Sequence, residues 1–360
     1  MSTPVSKTTV DSSVIAQMLK DAQNTTVSTR PPEPEPVKVE VKEFKLKAGK
    51  QSFKDLFGFT KKKSMRDHNV TVFKPEDWPE NLRILIPTVN PNYVWQKSEI
   101  EKFVVAMEHN DTVLISGPTG SGKSTMVEQY CAITGRPFIR INMTGDMESA
   151  AFFGQMVVRD GATVWVDGPV TEAVRFGAVC LVDEWELSPP EINFGLQRLL
   201  EPERTLMLKE KPASSGEKQY VGHEQFRIVC GGNTLGGGDV SGEYAGTQVQ
   251  NVAQVDRFET TIRLNYLNKA HETSIIKKAV PGLPDEAIER MMQFTGLIRT
   301  AKSQGSVGIS MSPRTLVNWA KKTMYWGDAT VALTIAFLDK IDESEKGEVI
   351  KLVKKVYGDI

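Results

Sequence analysis

The sequence predicts an α/β domain with a parallel sheet and two inserted β-hairpins, followed by a small α-helical domain. Three observations support this fold class. Short apolar or β-branched runs alternate with helical segments between residues 81 and 267, a pattern typical of a parallel sheet covered on both faces. A glycine-rich stretch, ISGPTGSGKSTM, lies between a strand-like run and a helix-like run. Strand-like runs then stop, and residues 268–360 carry amphipathic helical patterns.

The N-terminal part differs in composition from the rest. Residues 1–50 are rich in Pro, Glu and Lys, as in TRPPEPEPVKVEVKEFKLKAGK, and have few large apolar side chains. Such a segment cannot bury enough apolar surface to offset the entropy of ordering it, so we expect a disordered tail. Residues 51–80 contain an apolar island, SFKDLFGFTKKK, and are interpreted as a linker or a docking segment; a loosely packed end of the tail is the alternative.

Five runs predict the strands of the sheet between residues 81 and 267. They are TVLIS (112–116), FIRIN (138–142), AVCLVD (178–183), FRIVCGG (226–232) and TTIRLNYL (260–267). Asp160-Gly161, between the arms of MVVRDGATVWV, is the strongest short-range signal of a hairpin. A second hairpin is predicted for TLMLKEKPASSGEKQYVG, whose strand-like arms flank a polar tip.

Five segments predict the helices of the C-terminal domain. They are HETSIIKKAV (271–280), DEAIERMMQFTGLIRTAK (285–302), PRTLVNWAKKTMYW (313–326), TVALTIAFLDKI (330–341) and EVIKLVKKVY (348–357). Each is compatible with an apolar face repeating at the helical period, which favours helices that pack on one another.

Composition narrows the function classes. The 360-residue chain is 40% hydrophobic and carries a net charge of −1, so nothing global attracts it to nucleic acid or membrane. No apolar run approaches the ~20 residues that a membrane helix needs, and the N-terminus lacks the apolar centre of a signal peptide. Cys131, Cys180 and Cys230 lie in apolar segments without metal-ligand spacing, so we expect buried, reduced thiols in a cytosolic protein.

The glycine-rich stretch fits the pattern G-x-x-x-x-G-K-S and predicts a loop that binds phosphates. Glycines let backbone N–H groups surround the phosphates, and the N-terminus of the next helix points at them. We expect Lys123 to contact the β- and γ-phosphates and the Ser124 hydroxyl to bind Mg²⁺. An empty glycine-rich turn is the alternative. The predicted phosphate-binding residues are Gly117, Pro118, Thr119, Gly120, Ser121, Gly122, Lys123, Ser124 and Thr125.

Polar side chains follow two of the predicted strands. Asp183 and Glu184 end the run AVCLVDEWE, and Asn233 ends the run RIVCGGNT. In a nucleotide hydrolase, Asp183 would hold Mg²⁺ and Glu184 would deprotonate a water for attack on the γ-phosphate. Asn233 would lie beside them and hold that water. Acids at strand ends are common, but this order after a phosphate loop favours hydrolysis over phosphate transfer by a metabolic kinase.

Two arginines complete the candidate site. Arg257, in QVDRFETTIRLNYL, precedes the last predicted strand and is interpreted as an arginine finger, which stabilises charge in phosphoryl transfer. A surface salt bridge with a nearby acid, such as Asp256 or Glu259, is the alternative. Arg314, in SPRTLVNWA, follows Pro313 at a predicted helix start and could contact the γ-phosphate from the helical domain.

This order of motifs resembles that of the AAA+ ATPases. The two hairpins look like the helix-2 insert and the pre-sensor-1 hairpin of their MoxR, dynein-related and chelatase branch. The segment NTLGGGDVSGEYAGTQVQNVAQVDRFETTIRLNYL (233–267) is very similar to the CobS-type ATPase subunit of aerobic cobaltochelatase, and VNPNYVW (89–95) and GKSTMVEQ (122–129) look like the same family. CobS-like ATPases also occur outside cobalamin pathways.

The resemblance implies a function and a set of roles. It implies Mg²⁺-dependent ATP hydrolysis in a hexameric ring that remodels a protein with a von Willebrand A-type domain, with chelatase-type metal insertion as one version. It assigns sensor 1 to Asn233, the finger offered to a neighbouring subunit to Arg257, and sensor 2 to Arg314. Its helical domain is the lid of an AAA+ core.

Two other functions remain open at this point. The lysines of the hairpin tip KEKPASSGEK could follow a phosphate backbone, as in a motor stimulated by nucleic acid. Two glutamates offset those lysines, and the tip has no aromatic side chain for base stacking, so a solvated tip is favoured. The other function is a scaffold that binds ATP without turnover, which the presence of Glu184 and Arg257 disfavours.

Overall fold

A computed structural model of the protein describes residues 46–60, 66–238, 244 and 246–358. The predicted tail lies outside these residues up to position 45, and so does part of the distinctive Gly-rich segment, at 239–243 and 245. None of the described helices is long and apolar enough to cross a membrane.

The described strands are β1 (Gly49–Ser52), β2 (Asn69–Val72), β3 (Val113–Ser116), β4 (Phe138–Asn142), β5 (Gly154–Arg159), β6 (Ala162–Asp167), β7 (Val179–Asp183), β8 (Thr205–Met207), β9 (Gln219–Val221), β10 (Arg227–Gly232) and β11 (Thr260–Arg263). The described α-helices are α1 (Phe53–Leu56), α2 (Glu80–Arg83), α3 (Lys97–His109), α4 (Lys123–Thr134), α5 (Ser149–Phe153), α6 (Pro169–Phe176), α7 (Pro190–Gln197), α8 (Val252–Val255), α9 (Lys269–Ala279), α10 (Asp285–Ser303), α11 (Pro313–Trp326), α12 (Ala329–Ala336) and α13 (Glu343–Tyr357).

A five-stranded parallel sheet in the order β11-β3-β10-β7-β4 forms the centre of the α/β part. The five predicted strands are confirmed, although the last ends at Arg263 and not at residue 267. Its neighbour β3 ends at Ser116, the register partner of Arg263, so the chain beyond has no strand to pair with there.

The register brings three strand ends together. Gly232 of β10 is opposite Ser116 of β3, and Gly231 is opposite Asp183 of β7. The residues that follow β3, β7 and β10 therefore leave the sheet side by side. This edge of a parallel sheet is where ligands bind in open α/β folds.

Apolar side chains fill both faces of the sheet because successive strand residues point to opposite sides. Leu114 and Cys180 lie in a core shared with α6 and α7. Val113 and Leu181 lie in a second core shared with α3 and α4. Cys131, Cys180 and Cys230 are buried and free, as predicted.

The segment that precedes the sheet packs on this second core. Strands β1 and β2 pair antiparallel, and the helical turn α1 lies between them in sequence. Phe53, Phe57 and Phe59, from the apolar island of the sequence, are buried among residues of α3 and α4. In the described residues, this island therefore contributes to the α/β core.

Both predicted hairpins are present, as antiparallel pairs outside the parallel sheet. In the first, β5 pairs with β6 around Asp160 (φ 50°) and Gly161 (φ 77°). Left-handed backbone at both central residues is what a type I′ turn requires. In the second, β8 pairs with β9.

The C-terminal part is helical, as predicted, with a core of its own. Helices α9 to α13 bury apolar side chains against one another, with Phe294, Trp319 and Phe337 among the largest. The Phe294 ring meets the Trp319 and Phe337 rings edge-on, at centroid distances of 5.7 and 6.2 Å.

Candidate active site

The glycine-rich loop connects β3 to α4, as its motif predicts. Its backbone has positive φ at Gly117 (155°), Gly120 (77°) and Gly122 (95°), conformations that favour glycine. A Cβ on Gly117 would lie 2.1 Å from the carbonyl oxygen of Leu264, so the loop is held tightly against the residue that follows β11. Helix α4 begins directly after the loop at Lys123, which brings the positive end of the helix dipole to it.

Lys123 is buried at the centre of the site, with 7% of its surface exposed. Its ammonium donates to the carbonyl oxygen of Gly117 at 2.7 Å and to Oδ1 of Asn233 at 2.8 Å. Burial lowers the pKa of Lys123, while the nearby Glu184 and Asp183 carboxylates oppose that shift. A cation held in this way is available to a phosphate that displaces its present partners.

Asp183 ends β7 beside the loop and is also buried. Its Oδ2 accepts hydrogen bonds from Ser124 Oγ at 2.6 Å and from Arg140 Nη2 and Nε at 2.6 and 2.9 Å. A hydroxyl and a carboxylate in contact are oxygen donors of the kind that Mg²⁺ takes when phosphates complete its shell. No group of three or more His, Cys, Asp or Glu within the described ranges could hold a metal by itself. The Ser124 hydroxyl and the Asp183 carboxylate fit Mg²⁺ whose other ligands are phosphate oxygens and water.

Glu184 follows Asp183 in left-handed backbone, with φ 55° and ψ 38°. Such a conformation is strained in a non-glycine residue, and strain of this kind clusters at functional sites. Asn233 Nδ2 donates to Glu184 Oε2 at 2.6 Å. Burial raises the pKa of Glu184, with Lys123 opposing and Asp183 adding to the shift. A half-buried carboxyl with a raised pKa suits a group that takes a proton from water.

Asn233 thus links two of the candidate residues. Its Oδ1 accepts from Lys123 and its Nδ2 donates to Glu184. The structure brings together five of the predicted site residues, which are Lys123, Ser124, Asp183, Glu184 and Asn233.

Two further residues contact this cluster and were not predicted. Arg140, on β4, pairs with Asp183 and is 45% exposed at its side chain. Glu186 is 1% exposed and accepts hydrogen bonds from the backbone of Asn233 and Thr234. The sequence signal for Glu186 was its place in DEWE, where a third acid follows a buried strand. Arg140 carried no signal beyond being a charge in the run FIRIN.

Arg257 lies apart from that cluster. It follows α8, its guanidinium donates to the carbonyl oxygen of Ala253, and its Nε is 3.6 Å from Glu201 Oε1. Arg257 therefore does form a surface salt bridge, and its partner is Glu201 and neither Asp256 nor Glu259. Arg257 lines an open groove whose rim includes Phe194 and Val249, exposed by 70% and 78%.

Arg314 is exposed in the first turn of α11, whose N-cap is Ser312. A Cβ on Gly120 would lie 2.7 Å from the Ser312 Cβ, so this helix start touches the phosphate-binding loop. A second contact runs through Tyr266, whose hydroxyl donates to the carbonyl oxygen of Thr119 at 3.3 Å. The Arg299 guanidinium lies over the Tyr266 ring at 4.3 Å. The helical part therefore touches the loop directly at Ser312, and through Arg299 it packs on the Tyr266 ring, whose hydroxyl donates to the loop.

The tip of the second hairpin offers fewer free lysines than the sequence suggests. Lys211 is 5% exposed, and its ammonium donates to the Tyr220 hydroxyl at 2.5 Å. Lys209 and Lys218 are exposed. The tip therefore presents two lysines to solvent among the three in its sequence.

Residues 112–245 match the family model of the AAA domain (dynein-related subfamily). The chain is similar to the aerobic cobaltochelatase subunit CobS of Sinorhizobium sp, with 31% identity over 281 residues, which are 76% of this chain and 83% of that protein. It is 36% identical over 116 residues to protein NorQ of Paracoccus denitrificans, covering 32% of this chain and 43% of NorQ.

Among solved structures, the chain is similar to the RuvB Holliday junction branch migration motor of Thermotoga maritima, at a TM-score of 0.41 and 16% sequence identity. That match covers 75% of this chain and 72% of the other.

Proposed function

This chain belongs to the dynein-related (MoxR) branch of the AAA+ ATPases, together with CobS, and on that premise we propose that it hydrolyses ATP in a hexameric ring to remodel a partner protein. The observation that carries the proposal is Asn233, which bridges Lys123 and Glu184. One side chain thereby connects a group that would bind the γ-phosphate with a group that would activate water. A fold that bound ATP without turnover would not need this connection.

Each residue of the cluster has a role in this proposal. Lys123 and the backbone of Gly117–Ser124 bind the phosphates, and Glu184 accepts the proton of the attacking water. Asn233 holds that water and keeps the carboxylate of Glu184 in place. Ser124 and Asp183 would hold Mg²⁺, which neutralises phosphate charge when it is bound.

The position of Arg257 supports a ring. Its guanidinium contacts Ala253 and Glu201, and its backbone bonds to Thr112 and Gln254. Among the described residues, none of these contacts is with Lys123 or Glu184. The exposed apolar side chains of Phe194 and Val249 line the same groove. A cation on such a surface is placed to enter the site of a second copy, where it would act as an arginine finger. Arg314, at a helix start that touches the loop, would contact the γ-phosphate within its own chain.

The partner is proposed from the family. CobS is named as a cobaltochelatase subunit, so a metal-inserting complex is one candidate, and another complex with a von Willebrand A-type domain is the second. Glu184→Gln would hold ATP without turnover and keep a partner bound. Proteins that bind to Glu184→Gln in native lysate, and not to the matched control Lys123→Ala, would be identified by mass spectrometry.

The experiment that tests the proposed function mixes two inactive variants. Arg257→Ala subunits keep an intact nucleotide site, and Lys123→Ala subunits keep an intact finger. The mixture should recover ATPase activity that neither variant shows alone, since a finger contributes a factor of about 10³–10⁵ to turnover. An inactive mixture, with subunit exchange demonstrated by native mass spectrometry, would overturn the shared site.

A further inference from the structure

Glu186 is a buried carboxylate that the proposed reaction does not use. It lies in the short 3-10 turn Trp185–Leu187, directly after strand β7, and 1% of it is exposed. A buried carboxylate is costly unless hydrogen bonds satisfy it. Three donors do so. Oε2 accepts from the backbone N–H of Asn233 at 3.0 Å, and Oε1 accepts from the backbone N–H and the hydroxyl of Thr234 at 2.7 and 2.6 Å.

These bonds fix the backbone from which the Asn233 side chain projects. Asn233 is the residue that bridges Lys123 and Glu184, so a shift of its backbone would move both contacts. The chain also makes room for the carboxylate, because a Cβ on Gly232 would lie 2.5 Å from Glu186 Oε1. Glu186 therefore acts on the site through Asn233.

The backbone of Glu186 holds a second segment. Its carbonyl oxygen accepts from the Gln248 backbone N–H at 3.1 Å and from Gln250 Nε2 at 3.0 Å. Gln250 is buried, and its Oε1 accepts from Asn193 Nδ2 at 2.7 Å. The carbonyl oxygen of Asn193 accepts in turn from Gln254 Nε2 at 3.0 Å.

That segment leads to the arginine. Gln254 lies on α8, and the backbone N–H of Arg257 donates to the Gln254 carbonyl oxygen at 3.3 Å. Ala253, which accepts from the Arg257 guanidinium, is on the same helix. A continuous set of hydrogen bonds therefore runs from Asn233 through Glu186, Gln250 and Asn193 to α8, the helix that directly precedes Arg257.

We infer that Glu186 is a positioning residue that couples the nucleotide site of one subunit to the arginine finger it offers to the next. Its carboxylate positions the Asn233 amide that would hold the water, and its carbonyl oxygen, through Gln250, positions the helix that precedes Arg257. This inference rests on the proposed function, because it needs Arg257 to act in a neighbour.

Two substitutions separate the two sides. Glu186→Gln keeps the shape but turns an NH₂ toward either Asn233 or Thr234, which present donors. The short turn Trp185–Leu187 has to shift to relieve this contact, and the shift moves the Glu186 carbonyl oxygen that holds Gln248 and Gln250, so both sides should be disturbed. Gln250→Ala leaves the carboxylate and Asn233 untouched and removes only the link toward Arg257. Glu203→Gln, at an exposed glutamate, is the matched control. Because the hydrogen bonds lost involve a charged group, Glu186→Gln should melt at a lower temperature than the control, and its kcat should fall about tenfold or more with ATP affinity close to that of the control.

Mixing decides whether the coupling exists. Gln250→Ala subunits keep an intact nucleotide site, so mixing them with Lys123→Ala subunits, whose Arg257 is intact, should restore activity. Mixed with Arg257→Ala subunits, they should stay inactive, because neither variant then supplies a well-placed arginine. Glu186→Gln should stay low in both mixtures. Equal recovery of Gln250→Ala in both, or full recovery of Glu186→Gln with Arg257→Ala, would overturn the coupling. The mixture of Lys123→Ala with Arg257→Ala serves as the reference. If it is inactive, the shared site of the proposed function fails and the coupling fails with it; if it is active, only the coupling is in question.

If Glu186→Gln fails to fold, Gln250→Ala still tests the link from Glu186 to Arg257. The kcat of Thr234→Val then tests the link from Glu186 to Asn233. Thr234→Val removes the hydroxyl that donates to Glu186 at 2.6 Å and keeps the backbone donors. We expect its kcat to fall with KM unchanged, whereas an unchanged kcat would remove Glu186 from the positioning of Asn233.

Discussion

Glu184→Gln should lower ATP turnover while raising the stability of the nucleotide-free protein. The amide has the shape of the carboxyl, and its oxygen can still accept from Asn233 Nδ2, which lies 2.6 Å from the carboxylate. It cannot take a proton from water. Loss of a positioned general base costs a factor of about 10²–10⁴, so turnover should fall by that amount while ATP still binds.

The effect on stability follows from the raised pKa of Glu184. Burial is the main cause of the shift, so the folded state holds the proton more tightly than the unfolded state does. The charged carboxylate therefore destabilises the fold at pH values above its raised pKa. This cost disappears as the pH falls below the ordinary value of 4.5, where the carboxyl is protonated in both states. A neutral amide has no such cost at any pH.

Thermal melting without nucleotide, at several pH values, measures this difference. The variant should melt at a higher temperature than the parent near about pH 8, and the gap should close as the pH falls toward acid. Glu203→Gln, an exposed position, should show no pH-dependent gap. A variant that melts lower than the parent at neutral pH would show that the Glu184 carboxylate stabilises the fold. Undiminished turnover would place the base elsewhere.

Lys123→Ala should weaken ATP binding by about tenfold or more, because the phosphates lose a buried cation, and isothermal titration with unchanged affinity would remove Lys123 from the site. Gly135→Ala should destabilise the fold by more than the roughly 1 kcal/mol of left-handed strain alone, since its Cβ would lie 2.1 Å from the Phe73 carbonyl oxygen. Gly327→Ala is the matched control, a helix end with similar φ and no atom within 4 Å of the added Cβ; equal losses in urea unfolding would contradict the contact at Gly135. Phe53→Ala should cost about 3–5 kcal/mol in the same assay, and a loss under about 1 kcal/mol would mean that its segment does not pack on the α/β core.

Local patterns were sufficient to predict most of the fold. The five parallel strands are short, apolar runs bounded by turn residues, and both hairpins carry their turn signals in the sequence. The end of β11 was predicted wrongly because it depends on where β3 ends, and pairing with a distant strand leaves no trace in the local pattern. The burial of Phe53 depends in the same way on helices far along the chain.

The site residues also fall into those that local motifs predict and those that depend on contacts between distant strands. Lys123, Ser124 and Asp183 are set by motifs whose geometry is local, a loop before a helix and an acid after a strand. Arg140 and Glu186 act through neighbours from other strands, so their roles become visible once β4, β7 and β10 are aligned. A charged residue in FIRIN or a third acid in DEWE has many possible partners in a sequence, and the register of the sheet selects one.

The acids of DEWE and the glycines of GGNT are two halves of one arrangement. A Cβ on Gly231 would lie 2.8 Å from Asp183 Oδ1, and a Cβ on Gly232 would lie 2.5 Å from Glu186 Oε1. The carboxylates of Asp183, at the end of β7, and of Glu186, in the turn after it, thus lie directly against the backbone of β10, where a larger residue would displace them. The backbone N–H of Asn233, the next residue, then reaches Glu186. The two glycines end strand β10. Glycine is favoured at both positions because the carboxylates of Asp183 and Glu186 occupy the space that a side chain would need. The glycines allow the amide of Asn233 to lie between the lysine of the phosphate-binding loop and the glutamate proposed to activate water.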